Sequence, residues 1–449
     1  MPKIHIIGAG LAGAEAAWQA AKRGAKVVLY EQKPKHFSPA HKNANFAELV
    51  CSNSLRANGL ANAIGLLKEE MRLMDSLIMS VADSTAVPAG GALAVDRDAF
   101  AAEITRRLQE NPNIEIKSGV QVESLDDISE TESSFKAFPI TIIATGPLTD
   151  GKLTEEIMAL TGENHLYFHD AAAPIVTKES VDMTNAYFGS RYGKGDASYI
   201  NCPMTRSEYE LFYNELINAE EAEQHEFEKD CKIFEGCMPV ERMAKRGEQT
   251  LLFGPLKPVG LPNPHDNDKI PHAVVQLRQD NSAATLYNLV GFQTHLKWGE
   301  QQRVFGLIPA LKNAEFVRFG VMHRNTYICS PKLLTATYAM RQHPNLYFAG
   351  QITGVEGYIE SASSGLVAGI NAAHQLNGEK PLVFHEQTAH GALAAYVSNP
   401  ANSENFQPMK INFGILPPLG ERIRNKQEKN TKISERGLEV LKQQISHFA

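Results

Sequence analysis

No stretch of this sequence is apolar and unbroken for long enough to span a bilayer, and no cleavable signal pattern opens it. A soluble, cytoplasmic protein is therefore expected. Cysteine is scarce: Cys51, Cys202, Cys231, Cys237 and Cys329 are odd in number, and none falls in a CxxC or CxxxxC spacing. That argues against a disulfide framework, a zinc site and the paired thiols of a flavin disulfide reductase. No metal site is expected, and any thiol chemistry must use single cysteines. An excess of positive charge is lacking too, since the net charge is −7. The balance is uneven, however. From Lys410 to Lys442 eight basic residues face four acids, so this stretch carries +4 and the remainder −11. A basic tail on an acidic body suits contact with a phosphate backbone, and it equally suits a solvated helix. Low-complexity tracts are absent.

What is present begins at the N-terminus. Lys3-Ile4-His5-Ile6-Ile7 reads as a buried strand, followed at once by Gly8-Ala9-Gly10-Leu11-Ala12-Gly13. A helical pattern runs from Leu11 to Arg23 and stops at Gly24, and a second strand, from Lys26, ends on Glu31. This is the dinucleotide-binding βαβ fingerprint in full context, with an acid about twenty residues beyond the glycines. Gly8 permits the tight turn, Gly10 lets the backbone approach a pyrophosphate, and Gly13 lets the helix pack closely. The helix start offers free N–H groups and partial positive charge. Glu31 is placed to accept hydrogen bonds from both ribose hydroxyls of an adenosine.

At 449 residues, 43% of them apolar and 21% charged, the chain is an ordinary globular protein of two or three domains. Residues 139–146 form a second strand-length run, ending on Thr145-Gly146, where a small residue and a glycine let the chain pass close to a cofactor. Asn345 to Gln351 repeats the idea, with Gly350, Gly354 and Gly357 leading into a helix from about Tyr358. Two separated cofactor-contacting halves imply resident FAD rather than NAD alone. Gly365 and Gly369 in that helix serve close packing. Between the halves an acidic helical stretch (Glu208 to Glu228) and a proline- and glycine-rich loop (Gly254 to Pro271) break the βα rhythm. The expected fold is α/β: a Rossmann-like, two-part FAD-binding domain of the glutathione-reductase type over 1–190 and 296–449. An inserted α+β substrate domain is expected over 191–295.

Two thiols and one aromatic stand out. Cys237 precedes Pro239, which suits a helix start, and Gly247, which suits its C-terminal cap. A helix N-terminus lowers a thiol pKa, and Arg242 would add to that field. Cys51 sits in a polar turn, Val50-Cys51-Ser52-Asn53-Ser54, soon after the first βαβ unit. Against both stands the role of a small buried hydrophobe, which is assigned to Cys202, Cys231 and Cys329. Tyr358 either stacks on an isoalloxazine or on a ligand ring above it, or is a core tyrosine.

Longer strings carry a resemblance. Glu48 to Arg56, Val87 to Arg97, Asn201 to Thr205, the Cys237 segment, Gly291 to Trp298, Met322 to Thr326, Gly350 to Tyr358 and Phe406 to Gly414 together resemble the folate- and FAD-dependent tRNA (uracil-5-)-methyltransferase family. That family is related to the GidA-type tRNA-modifying flavoproteins, and the likeness runs almost end to end. It implies transfer of the methylene of 5,10-methylenetetrahydrofolate to C5 of uridine fifty-four in the tRNA T loop. Reduced FAD supplies the electrons and is regenerated by NADPH or NADH. By the resemblance, Cys237 adds to uracil C6, and Cys51 removes the C5 proton or assists breakdown of the adduct. Tyr358 stacks near the flavin and folate rings. Lys42, Arg242, Lys245, Arg246 and the C-terminal basic cluster are candidates to hold RNA phosphates, with no membrane contact and no obligate protein partner. Three other readings stand beside this one. They are the same chemistry on a 23S rRNA uridine, the GidA-type modification of a wobble uridine with a GTPase partner, and a non-catalytic, FAD-stabilised RNA-binding or folding factor.

Overall fold

The computed structural model describes residues 2–128, 139–149, 151–162, 166–171, 173–222, 238–281, 283–320 and 322–446. Its centre is a parallel five-stranded sheet in the order Leu346–Phe348, Thr141–Ile143, Lys3–Ile7, Lys26–Glu31, Ile114–Ser118. Ile4, Ile6, Val27, Val28, Leu29, Ile142, Ile143 and Phe348 are all essentially inaccessible, as strands covered on both faces require. The helix Leu11–Lys22 follows the first strand and ends before Gly24, whose φ of +79° stops it.

Against that helix packs Tyr358–Leu376, a nearly all-buried helix of 19 residues. The two approach through glycines. A Cβ on Gly365 would lie 2.1 Å from the Ala12 carbonyl oxygen, and one on Gly369 2.4 Å from that of Ala16. The close-packing role expected of this pair is what the structure shows. Gly13 answers the same need on the other side, since its Cβ would sit 1.8 Å from the Gly8 carbonyl oxygen.

A second layer is a six-stranded antiparallel sheet in the order Tyr187–Gly189, Tyr199–Met204, Ala273–Gln279, Leu286–Leu289, Ile175–Thr177, Phe316–Arg318. It has its own core, drawn from Val176 to Ala314 and completed by the helices Arg206–Asn218 and Trp298–Phe305. Thr205 and Glu208 close a capping box at the start of the first of these. The segment 191–295 falls within this layer, whose outermost strands lie on either side of it. A ribbon of Leu166–Ala171 and Met322–Tyr327 joins the two layers. A small sheet of Ser54–Ala57, Ala92–Val95 and Ala86–Val87 begins just after Cys51, and its turn at Ala89 accepts the Tyr199 hydroxyl of the second layer. Among the described residues no helix is long and apolar enough to cross a membrane, and no His, Cys, Asp and Glu cluster suits a metal.

Candidate active site

The two glycine loops open onto one elongated cleft of about 1270 Å³, including its open mouth. Gly8, Gly10, Leu11, Ala12, Glu31, Thr145, Gly146, Gly350, Gln351 and Tyr358 line it, whereas Ala9 and Gly13 do not. Ala9 acts one step back: its N–H donates to Glu31 Oε2 at 2.9 Å, while the Lys33 N–H donates to Oε1 at 2.9 Å. The Glu31 carboxylate is thus already oriented by backbone donors, and each oxygen keeps a second lone pair for a ribose hydroxyl.

Whether these residues fit a dinucleotide is decided at Gly10. Its φ of −70° and ψ of −171° are open to any residue, and a Cβ there would meet no protein atom within 4 Å. The space above Gly10 is left for something other than protein. No side chain caps either helix that starts at the cleft, at Gly10 or at Gly357, so their first N–H groups are available to an anion. The donor set, the glycine cradle and the oriented carboxylate fit a dinucleotide such as FAD.

Lys33 and His41 also line the cleft. The buried Lys33 ammonium donates to the Asn43 carbonyl at 3.1 Å and to that of Asn45. Burial, with Lys33 nearby, pushes the His41 imidazole down to about 4, so it is neutral at physiological pH.

Also at the cleft, the tyrosine and the first thiol segment meet. The Tyr358 hydroxyl accepts the Cys51 N–H at 2.7 Å and the Ser52 N–H at 3.2 Å. Burial pushes the phenol well above its ordinary range, so it stays protonated. Around residues 49–53 stand three arginines that the sequence reading did not single out. Arg97 donates to the Leu49 carbonyl at 2.8 Å and pairs with Asp280 at 3.0 Å. Arg318 donates to the Val50 carbonyl. Arg278 donates to Ser52 Oγ at 2.5 Å and Asn53 Oδ1 at 3.2 Å. Asn53 in turn donates to the carbonyls of Val95 at 3.0 Å and Gln279 at 2.8 Å. The Cys51 turn is therefore clamped between the two sheets, since Arg278, Gln279, Asp280 and Arg318 all belong to the second layer or its edge. One signal was present in the sequence: charged residues inside the apolar run Ala273 to Asp280 imply buried, paired charge. Their partners lie some 180 or more residues away, which no local pattern reports.

Cys237 lies outside the described residues, as does Cys231. The helix expected after Pro239 is present but covers only Val240–Ala244, with Pro239 as its N-cap. Two of the basic residues expected to face phosphate, Arg242 and Lys245, instead hold Glu221 at 2.8 and 2.6 Å. In the C-terminal helix Lys432 pairs with Glu421 at 3.1 Å, and Arg436 donates to the Pro417 and Pro418 carbonyls. Cys202 is fully buried, with its thiol pushed up by desolvation, and Cys329 is buried. Both have the packing role assigned to them.

A parallel sheet with two glycine loops flanking one cleft, joined to a separate antiparallel layer, defines a flavoprotein-type dinucleotide fold. Residues 3–380 match the family model described as Glucose inhibited division protein A. GidA of Aquifex aeolicus, in its form II crystal, superposes with a TM-score of 0.67 at 16% identity, covering 99% of this chain and 75% of that one. The chain is 59% identical over 439 residues to the methylenetetrahydrofolate--tRNA-(uracil-5-)-methyltransferase TrmFO of Ligilactobacillus salivarius (strain UCC118), covering 98% of this chain and 97% of the relative. It is 59% identical over 446 residues to the TrmFO of Acetivibrio thermocellus, covering 99% of each. The chain belongs to the TrmFO family of these methyltransferases.

Proposed function

We infer that this protein is a tRNA (uracil-5-)-methyltransferase that methylates C5 of uridine fifty-four in the T loop, taking its carbon from 5,10-methylenetetrahydrofolate. Uracil C5 is a poor nucleophile until a thiolate saturates the ring at C6, which is covalent catalysis by an activated cysteine. Cys237 is the residue assigned to that addition, and Cys51 to removal of the C5 proton or to breakdown of the adduct. Bound FAD, restored by NADPH or NADH, supplies the two electrons that turn a transferred methylene into a methyl group. Gly10 and the helix start beside it hold the pyrophosphate, Glu31 the ribose, and Thr145, Gly146, Gly350 and Gln351 the remainder of the cofactor. Tyr358 offers its ring to the cleft while its hydroxyl fixes the backbone of the Cys51 turn. The substrate base must leave its stack to reach this site. The second layer, around 191–295 and its flanking strands, is the substrate domain of this reading, and the enzyme works in the cytoplasm.

What supports this reading most is the contact between Cys51 and Tyr358. Residues 307 positions apart bring a thiol segment to the mouth of the dinucleotide cleft, where a pyrimidine and a flavin would have to meet. The test is direct. Purified protein should be yellow, and should pass label from methylenetetrahydrofolate to a T-loop RNA only when NAD(P)H is added. Cys237→Ala should abolish transfer; full methylation by that variant contradicts the covalent-thiol role. Mapping 5-methyluridine in a deletion strain separates tRNA from rRNA, and loss from 23S rRNA alone would move the assignment to the ribosome.

A further inference from the structure

We propose that the loop from Gly189 to Gly195 is an RNA-docking surface, with the Tyr192 ring as a stacking platform for an unpaired base and Lys194 beside it as a phosphate contact. This rests on the tRNA reading above and names where on the chain the RNA is gripped. The first observation is conformational. Tyr192 has φ 59° and ψ 22°, the left-handed region that a bulky residue seldom occupies. The residue is nevertheless 58% exposed. The surroundings hold this arrangement in place: the Tyr192 N–H donates to the Gly260 carbonyl at 2.8 Å. The ring lies so close over Gly260 that a Cβ there would be 2.7 Å from it. Arg191 fixes the loop from below, donating to the Val259 and Lys257 carbonyls and to Gln276 Oε1. The result is a rigid aromatic face turned to solvent, with its ordering entropy already spent in the free protein.

The second observation is charge. Lys178 lies 5.4 Å over the half-exposed Phe188 ring, and Lys194 follows Tyr192 by two residues. Neither forms an ion pair with a described residue, and the nearby acids of these segments, Glu179 and Asp196, form none either. Elsewhere Arg242 and Lys245 share Glu221, and Lys432 pairs with Glu421. Exposed rings beside lysines that no ion pair holds in place suit single-stranded nucleic acid, since every base has a face to stack and every nucleotide a charge to meet.

The third is continuity with the reaction site. Gly195 packs on Gly90, where its Cβ would be 3.5 Å from the Gly90 Cα, and the Tyr199 hydroxyl donates to the Ala89 carbonyl at 3.3 Å. That hairpin pairs with Ser54–Ala57, the strand that leaves the Cys51 turn. A nucleotide loop opened to release one base at Cys51 would present its neighbours along this path.

The test measures the dissociation constant of the flavin-loaded enzyme for an unmodified tRNA transcript, by filter binding at two salt concentrations. Tyr192→Asn keeps a residue that tolerates left-handed backbone but removes the ring. It should weaken binding by about fivefold or more, the lower range for one lost base stack. Tyr192→Phe should bind as the wild type does. Lys194→Ala should weaken binding and reduce the dependence of log K on log salt by about one counterion. Flavin absorbance and melting temperature should be unchanged in all three. Wild-type affinity in Tyr192→Asn overturns the platform, and so does equal weakening by Tyr192→Phe, which would mean that the hydroxyl rather than the ring is used. An unmutated enzyme that binds no tRNA sinks the substrate reading itself, a separate failure.

Discussion

Two glycines three residues apart do different work, and a substitution at each tells them apart. Gly10 has ordinary backbone angles and empty space where a Cβ would point. Gly13 has the Gly8 carbonyl 1.8 Å from that position. Gly10→Ala should leave the melting temperature of the apoprotein unchanged, yet purify with at least about tenfold weaker FAD binding, the loss of one close pyrophosphate approach. Gly13→Ala should destabilise the fold itself by about 1–3 kcal/mol, the usual cost of overpacking, visible as a lower urea midpoint with or without FAD. Equal behaviour of the two variants would remove the case for a cradle at Gly10. Glu31 shows where residue-level reading stops. The acid and its distance from the glycines were legible, but the backbone donors that orient it come from the loop and from Lys33, and only the folded chain brings them to it.

At the scale of the element, both strands of the βαβ unit, the helix between them and the helix beginning at Tyr358 are legible in the sequence. Each carries its own start and stop signals. What surrounds the second helix was not legible. His390, at the start of the helix Ala389–Ser398, bonds Ser363 at 2.7 Å through Nδ1. Its Nε2 is buried without a hydrogen-bond partner among the described residues. Burial depresses the imidazole from 6.5 to about 3. The unfolded chain therefore binds a proton that the folded chain refuses between those pH values, so stability falls as pH drops through this window. The limiting slope from this group is about 1.4 kcal/mol per pH unit. His390→Leu should flatten the acid limb of the stability curve between pH 6.5 and 3, whatever it does to stability at neutral pH. An acid limb as steep as the wild type's would show that the group is not buried as described.

For the whole molecule, the decisive feature is the junction at Cys51. Asp280, 5% exposed on its side chain, is the carboxylate that pairs with Arg97, and Arg278 and Arg318 reach the same turn. Removing one partner of a buried pair strands the other, at a typical cost of about 3–5 kcal/mol. Asp280→Asn should lower the urea midpoint accordingly and reduce methyl transfer more than it reduces flavin absorbance, because the cleft is built by other residues. Undiminished transfer would mean that the clamp does not hold the Cys51 turn in place. Sequence alone determined the dinucleotide fold, the cofactor class and the family, because these reside in contiguous strings whose glycines, acids and periodicities act on their near neighbours. Only the tertiary structure decided that Tyr358 holds the Cys51 backbone and that three arginines from distant elements enclose it. It also showed that Arg242 and Lys245 share Glu221 and that Lys432 of the tail pairs with Glu421. The contacts that Tyr358 and the three arginines make with the Cys51 turn span from 46 to 307 positions of sequence, set by how two sheets pack, and packing between distant segments leaves no local period to read.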